Sequence, residues 1–133
     1  GPLYQGRFKS FPIQQDAHLL TVCRYVERNA LRAGLVERAE AWPWSSLWRR
    51  QQAEPTPWLL EMSAWPVRPP RDWVAAVNRV QSGRELEALR QSLARGAPYG
   101  EQSWQEQTAR SLGLESALRP RGRPCKRKGQ TEE

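Results

Sequence analysis

Between residues 16 and 34, apolar positions recur with the period of an α-helix. Leu19, Cys23, Val26, Ala30 and Ala33 fall in one stripe at about 100° per residue, the face expected to bury. Asp16 is placed to cap the start, and Gly34 to cap the end in a left-handed conformation, so the pattern predicts a helix reaching about Ala33. His18, Tyr25 and Asn29 lie together on its polar shoulder, and Arg24 and Arg28 point nearly opposite the stripe, with Arg32 between them and Tyr25. Upstream, residues 7 to 13 (RFKSFPI) alternate in a mixed way that predicts a short strand. Pro12 has no N–H for a ladder, which makes the strand's end an edge or an exit.

Downstream the periodicity lapses. Residues 42 to 50 (WPWSSLWRR) place three Trp in seven positions, and Trp58, Trp65 and Trp73 recur through a proline-rich connector up to Pro70. Indoles at this density are expected to cover irregular backbone, with Trp48 beside Arg49 and Arg50 the best candidate for stacking on a base. Helical pattern resumes at PRDWVAAVNRV, with Pro70 near its first turn. The spacings Ser82 to Glu85 and Ser103 to Glu106 predict two further helices with capping boxes, ending at Gly96 and Gly113 and joined by APYG as a helical hairpin or helix-turn-helix-like pair. These elements divide the chain into residues 1–50, a Trp/Pro-rich connector at 51–69, a helical extension at 70–117 and a basic tail at 118–133.

Charge changes the picture most. Lys and Arg total 21 against 14 Asp and Glu, for a net charge of +7, and six of the basic residues fall between Arg119 and Lys128. Such a concentration favours a polyanionic partner, because each phosphate neutralised releases counterions. The tail has too few apolar residues to offset ordering and is expected to be disordered when free. Within it, PRGRP at residues 120 to 124 resembles the core of an AT-hook, in which Arg121 and Arg123 lie along the A·T-rich minor groove. Lys126, Arg127 and Lys128 follow, and Arg7, Lys9, Arg24, Arg28, Arg49 and Arg50 are the DNA-contact candidates of the body. Two cysteines, Cys23 and Cys125, make neither a disulfide framework nor a metal knuckle, and no apolar run approaches a membrane span. A cytoplasmic, DNA-associated protein without a membrane partner is expected.

A phenolic oxygen can attack a DNA phosphodiester and hold the 5' end as a phosphotyrosine, with a divalent cation to polarise the phosphate. Tyr25 and Asn29, one helical turn apart, share the face such chemistry needs. The words around them are distinctive in combination and order: G-x-L-x-Q-G-R-F, R-Y-V-E-x-N, R-A-G-L-V and W-x-W-S-S, all within about residues 1 to 48. This segment resembles the C-terminal half of the catalytic domain of REP-associated tyrosine transposases, relatives of the single-tyrosine transposases of the HUH superfamily. LARGAPYG and LGLESALRPRGRP are similar to extensions in that family.

The resemblance implies an α+β fold: part of a ferredoxin-like core, a strand plus the nucleophile helix, followed by the helical extension and the tail. It implies cleavage and rejoining of single-stranded DNA beside a palindromic hairpin, with Tyr25 as nucleophile, Asn29 as a metal ligand and Mg²⁺ or Mn²⁺ as cofactor. Two departures stand out. The family's Asn-Pro step is Asn29-Ala30 here, and its His-hydrophobic-His motif has no counterpart, His18 being the chain's one histidine. The opening residues are therefore expected to start inside a larger domain, and the chain to lack a complete metal site and activity by itself. A non-catalytic DNA-binding module and a poorly folding remnant with open strand edges are the alternatives. Removing residues 119 to 128 is expected to weaken DNA retention and flatten its salt dependence; an unchanged salt slope in a binding titration would exclude the tail as the main contact.

Overall fold

The computed structural model describes residues 9–54, 56–120 and 122. Asp16 opens helix α1 (Ala17–Glu27), its carboxylate accepting the N–H of His18 at 2.8 Å. The predicted single helix is divided. Arg28 is a turn residue at φ −83° and ψ −1°, and a separate short helix α2 (Asn29–Arg32) follows it. Arg28 N–H still reaches the Arg24 carbonyl, and Arg32 N–H the Arg28 carbonyl, each at 2.9 Å, so residues on either side of the turn keep a common face. Gly34, at φ +71°, ends α2 as predicted: its N–H bonds to Leu31 O and that of Leu35 to Ala30 O, both at 3.0 Å, the paired bonds of a Schellman end.

The buried face matches the predicted stripe only in part, at Cys23 and Ala30. Ala30 is buried, but Val26 is 62% exposed and Ala33 is also exposed, while Glu27 is only 5% exposed. The reason lies in what α1 packs against. Helices α3 (Ser46–Arg50) and α4 (Trp73–Asn78) present donors: Ser46 Oγ and Trp73 Nε1 each donate to the Glu27 carboxylate at 2.6 Å, and Arg50 Nη1 donates to the same group. A partner surface rich in donors selects a carboxylate, and turning Glu27 inward carries Val26 outward. Leu20, Cys23 and Leu31 then pack on a core of Ala39, Leu47, Trp73, Ala76 and Val77, where Trp65 meets Trp73 edge-on at 5.5 Å.

The α+β expectation is overturned. Among the described residues there is no β-strand, and the arrangement is helical, so a ferredoxin-like core is not formed by them. Residues 9 to 13 make one isolated parallel bridge, Ile13 with Tyr99, in which Tyr99 N–H bonds to Pro12 O and Gln14 N–H to Tyr99 O, both at 2.9 Å. Pro12 cannot donate, and its partner is a short linker between helices, so pairing stops at once. Arg7 and Phe8, the start of the expected strand, lie outside the described residues.

Helix α4 starts later than expected from Pro70 near its first turn: Asp72 caps it by accepting Ala75 N–H at 2.9 Å. Helix α5 (Gly83–Arg95) carries the predicted Ser82–Glu85 capping box and ends on Gly96 in the left-handed region. Helix α6 (Gln102–Leu112) starts ahead of Ser103, so the second capping box is not made. Glu101 stands at its cap with its N–H on Gln14 Oε1 at 2.7 Å, and Glu106 accepts from Gln102 at 3.0 Å. A last short helix, α7 (Glu115–Leu118), follows Gly113. The APYG linker is no surface loop: Ala97, Pro98 and Tyr99 are buried, with the Tyr99 backbone satisfied by the bridge to Pro12 and Gln14 and Ala97 N–H by Ser92 O at 3.1 Å. Gly100 is required there, since an added Cβ would lie 2.5 Å from Gln14 Oε1 and 2.6 Å from the Trp104 ring.

Glu27→Ala leaves the Arg50 guanidinium and the Trp73 N–H without their acceptor, and is expected to lower the unfolding free energy by about 3 kcal/mol in a urea titration. Glu27→Gln, which retains one acceptor oxygen, should cost less.

Candidate nucleic-acid interface

Helices α1 and α2 together present two parallel rows. Arg24, Arg28 and Arg32 form one at four-residue spacing, and Tyr25 and Asn29 form the next. Arg24 and Arg28 reach across to the C-terminal end of α4, Arg24 Nη2 donating to Arg79 O at 3.1 Å and Arg28 Nη1 to Val77 O at 3.2 Å and to Asn78 O. They thereby satisfy carbonyls that the end of a helix leaves open, where positive charge is favoured. Arg32 folds back over the other row. Its guanidinium carbon stands 3.9 Å from the centre of the Tyr25 ring, Nη1 donates to Tyr25 O at 3.2 Å, and Nη2 donates to Asn29 Oδ1 at 2.7 Å.

Among the described residues, none of the three arginines is ion-paired with a carboxylate. Burial, and then the like charges of Arg24 and Arg32, hold the Arg28 guanidinium below its ordinary pKa. Each guanidinium has five N–H donors, and the bonds described use only some of them. The outcome is a concentrated, uncompensated positive row that keeps donors in reserve beside a half-buried tyrosine. The other described tyrosine, Tyr99, is 5% exposed, and its ring stands 5.3 Å from that of His18.

The remaining expected contacts are divided. Lys9 is exposed, ahead of the helices. Arg50 is committed to Glu27 and lies over the Trp65 ring at 5.1 Å, while Arg49 donates to Thr56 Oγ1 at 3.0 Å and pairs with Glu54 at 3.8 Å, so both work within the fold. Trp48, just before them in the chain, is half-buried rather than fully presented to solvent. Arg121, Arg123, Lys126, Arg127 and Lys128 lie outside the described residues, as does Arg7; of the AT-hook-like PRGRP only Pro120 and Gly122 are described, and the expected disorder of the tail falls outside them.

His18 is held away from Tyr25 at the opposite end of α1, its Nδ1 2.8 Å from Asp16 Oδ1. Seven residues of helix separate the two, about 10 Å along the axis. The described residues do not fit a divalent cation. Asn29 Oδ1, the expected ligand atom, accepts a hydrogen bond from a guanidinium, and the Glu27 carboxylate is consumed by Ser46, Arg50 and Trp73. No group of three or more His, Cys, Asp or Glu side chains among the described residues is placed to hold a metal.

Two residues were not among the site residues expected from the sequence. Arg32 lies seven positions after Tyr25 and three after Asn29, a spacing that puts all three on one face, and this signal was available. Trp44 is 84% exposed although its neighbours Trp42 and Trp48 are half-buried, and nothing in the sequence separates one from another. No helix of the described residues is long and apolar enough to cross a membrane. In comparisons with protein-family models, curated proteins and solved structures, nothing matches the chain.

The Asp16 carboxyl is held below its ordinary value of 3.8: burial works in the opposite direction and is outweighed by hydrogen bonds from the His18 backbone and ring and by its charge. A depressed carboxyl contributes stability that is present above its unfolded value and lost as pH falls through the folded one. Asp16→Ala is therefore expected to cost about 1 kcal/mol at neutral pH, a difference that shrinks below about pH 4 in acid-dependent thermal melts.

Proposed function

We propose that this chain holds single-stranded DNA beside a hairpin and presents Tyr25 to one of its phosphates, as the tyrosine-bearing, DNA-contacting part of a transposase. The observation that carries the reading is the unpaired row of Arg24, Arg28 and Arg32 with Arg32 bound to both Tyr25 and Asn29. A guanidinium offers a phosphate two parallel N–H groups and a charge that pH does not remove. In strand transfer the Tyr25 oxygen would bond to phosphorus as the bond from phosphorus to the 3' oxygen breaks. The phenolic proton leaves, and the released 3' oxygen ends as a hydroxyl. Arg32 would neutralise the phosphate charge that such a displacement concentrates.

A non-catalytic DNA-binding module is the second reading, and it too has a specific support. The contact of Arg32 with Asn29 Oδ1 puts a cation-repelling group on the atom from which metal-assisted chemistry would start.

A hairpin oligonucleotide with a single-stranded flank, incubated with the protein in Mg²⁺, in Mn²⁺ or in EDTA, separates these possibilities. A covalent adduct surviving denaturation and abolished by Tyr25→Phe is expected for strand transfer; an adduct that persists in the variant would remove Tyr25 from the mechanism. Binding without an adduct leaves the module. Each of Arg24→Ala, Arg28→Ala and Arg32→Ala is expected to lower the slope of log K against log salt by about 0.7 in magnitude, the value for one phosphate contact on a single strand. An unchanged slope in all three would overturn the DNA-holding face.

A further inference from the structure

Asn29 also borders an open cleft of about 290 Å³ between α1, α2 and residues 42 to 46. Val26 (62% exposed), Leu35 (63%) and Trp44 (84%) all line it. One exposed apolar side chain is ordinary on a protein surface, but three converging on one concavity, with an indole among them, make a surface suited to a flat apolar ligand.

The polar groups of the cleft narrow the choice. Ser45 Oγ donates to Trp42 O at 2.9 Å and accepts Trp48 N–H at 3.0 Å, and Ser46 Oγ is spent on Glu27, so neither hydroxyl is a principal reader of a ligand. Asn29 differs. Arg32 holds its oxygen at 2.7 Å, which turns its NH₂ group toward other acceptors, and that group has no partner among the described residues. Asn29 thus joins an apolar cleft to a positive row. A nucleotide is the ligand that brings a planar aromatic ring with edge acceptors next to an anionic phosphate, and its base can enter only where it is neither paired nor stacked.

We propose that the cleft takes one unpaired nucleobase of a DNA strand, stacked on Trp44 with an edge acceptor on Asn29 Nδ2, adjacent to the phosphate on Arg32. The inference rests on the DNA-holding reading and deepens it, since it makes the single-stranded flank, rather than the hairpin stem, the part that the site recognises.

The test compares two fluorescent DNA hairpins, one blunt and one with a single-stranded flank, in anisotropy titrations at one salt concentration. Trp44→Ala is expected to bind the flanked hairpin roughly tenfold more weakly and the blunt one as the wild type does. Trp58→Ala, equally outward at 75% exposure but not lining the cleft, should change neither. Scanning 2-aminopurine through the flank should find one position whose fluorescence the wild-type protein quenches and Trp44→Ala does not. An unchanged affinity of Trp44→Ala for the flanked hairpin, or an equal loss on both hairpins, overturns the base subsite. If the arginine variants still lose both DNAs, that failure belongs to the subsite alone; wild-type protein that binds neither hairpin removes the DNA-holding reading and the subsite with it. Matching thermal melts for wild type and Trp44→Ala confirm that the fold is intact.

Discussion

A carboxylate inside a protein must be surrounded by donors, and the rotation of α1 follows from how this chain meets that requirement. Glu27 receives Ser46 and Arg50 from α3 and the Trp73 indole from α4, so three helices meet at one acidic group. An ion left without such partners would cost several kcal/mol, which allows α1 few other orientations about its axis. Tyr25 and Asn29 are brought to the surface, and Val26 is turned outward, by the same rotation. The face proposed to meet DNA is in this sense the complement of the Glu27 site.

The arginine row also has a role in the fold. Helix α4 ends against α1 with carbonyls that no residue of its own can satisfy, and Arg24 and Arg28 supply the missing donors. The anchored bonds hold long, flexible side chains that would otherwise lose rotamer freedom on meeting a ligand. Arg32 is fixed by different means, stacked on Tyr25 and bound to Asn29, and so links the positive row to the aromatic group.

Local chemistry was legible in the sequence where a short segment decides the outcome. The Asp16 cap, the Ser82–Glu85 box and the left-handed ends at Gly34, Gly96 and Gly113 each depend on neighbours within a few residues, and each is present. The inward face of α1 was legible only in part, at Cys23. A stripe of apolar positions assumes an apolar partner, and the partner here offers a hydroxyl, a guanidinium and an indole N–H that lie 19, 23 and 46 residues away in the chain. The same distance effect hid the end of α4, the burial of APYG and the exposure of Trp44. The strand expected at residues 7 to 13 depended on pairing that local alternation cannot supply, and among the described residues it finds only the bridge at Ile13. For the candidate site, the shared face of Tyr25 and Asn29 and the row of Arg24 and Arg28 were readable from spacing, while the roles given to Tyr25 and Asn29 came from the resemblance alone; the internal commitments of Arg49 and Arg50 were not readable.

The anchoring of the row has a consequence for the conditions it tolerates. Arg24, Arg28 and Arg32 are held by backbone carbonyls, a side-chain amide and an aromatic face, none of which titrates in the range where carboxylates take up protons. Mild acid that would dissolve an acid–base clasp leaves these fastenings in place, and added salt screens an incoming anion more than it loosens the short contacts that hold the guanidiniums. Attraction for the ligand and preorganisation of the receptor thus rest on different forces, so ionic strength can tune the first while the second stays nearly constant.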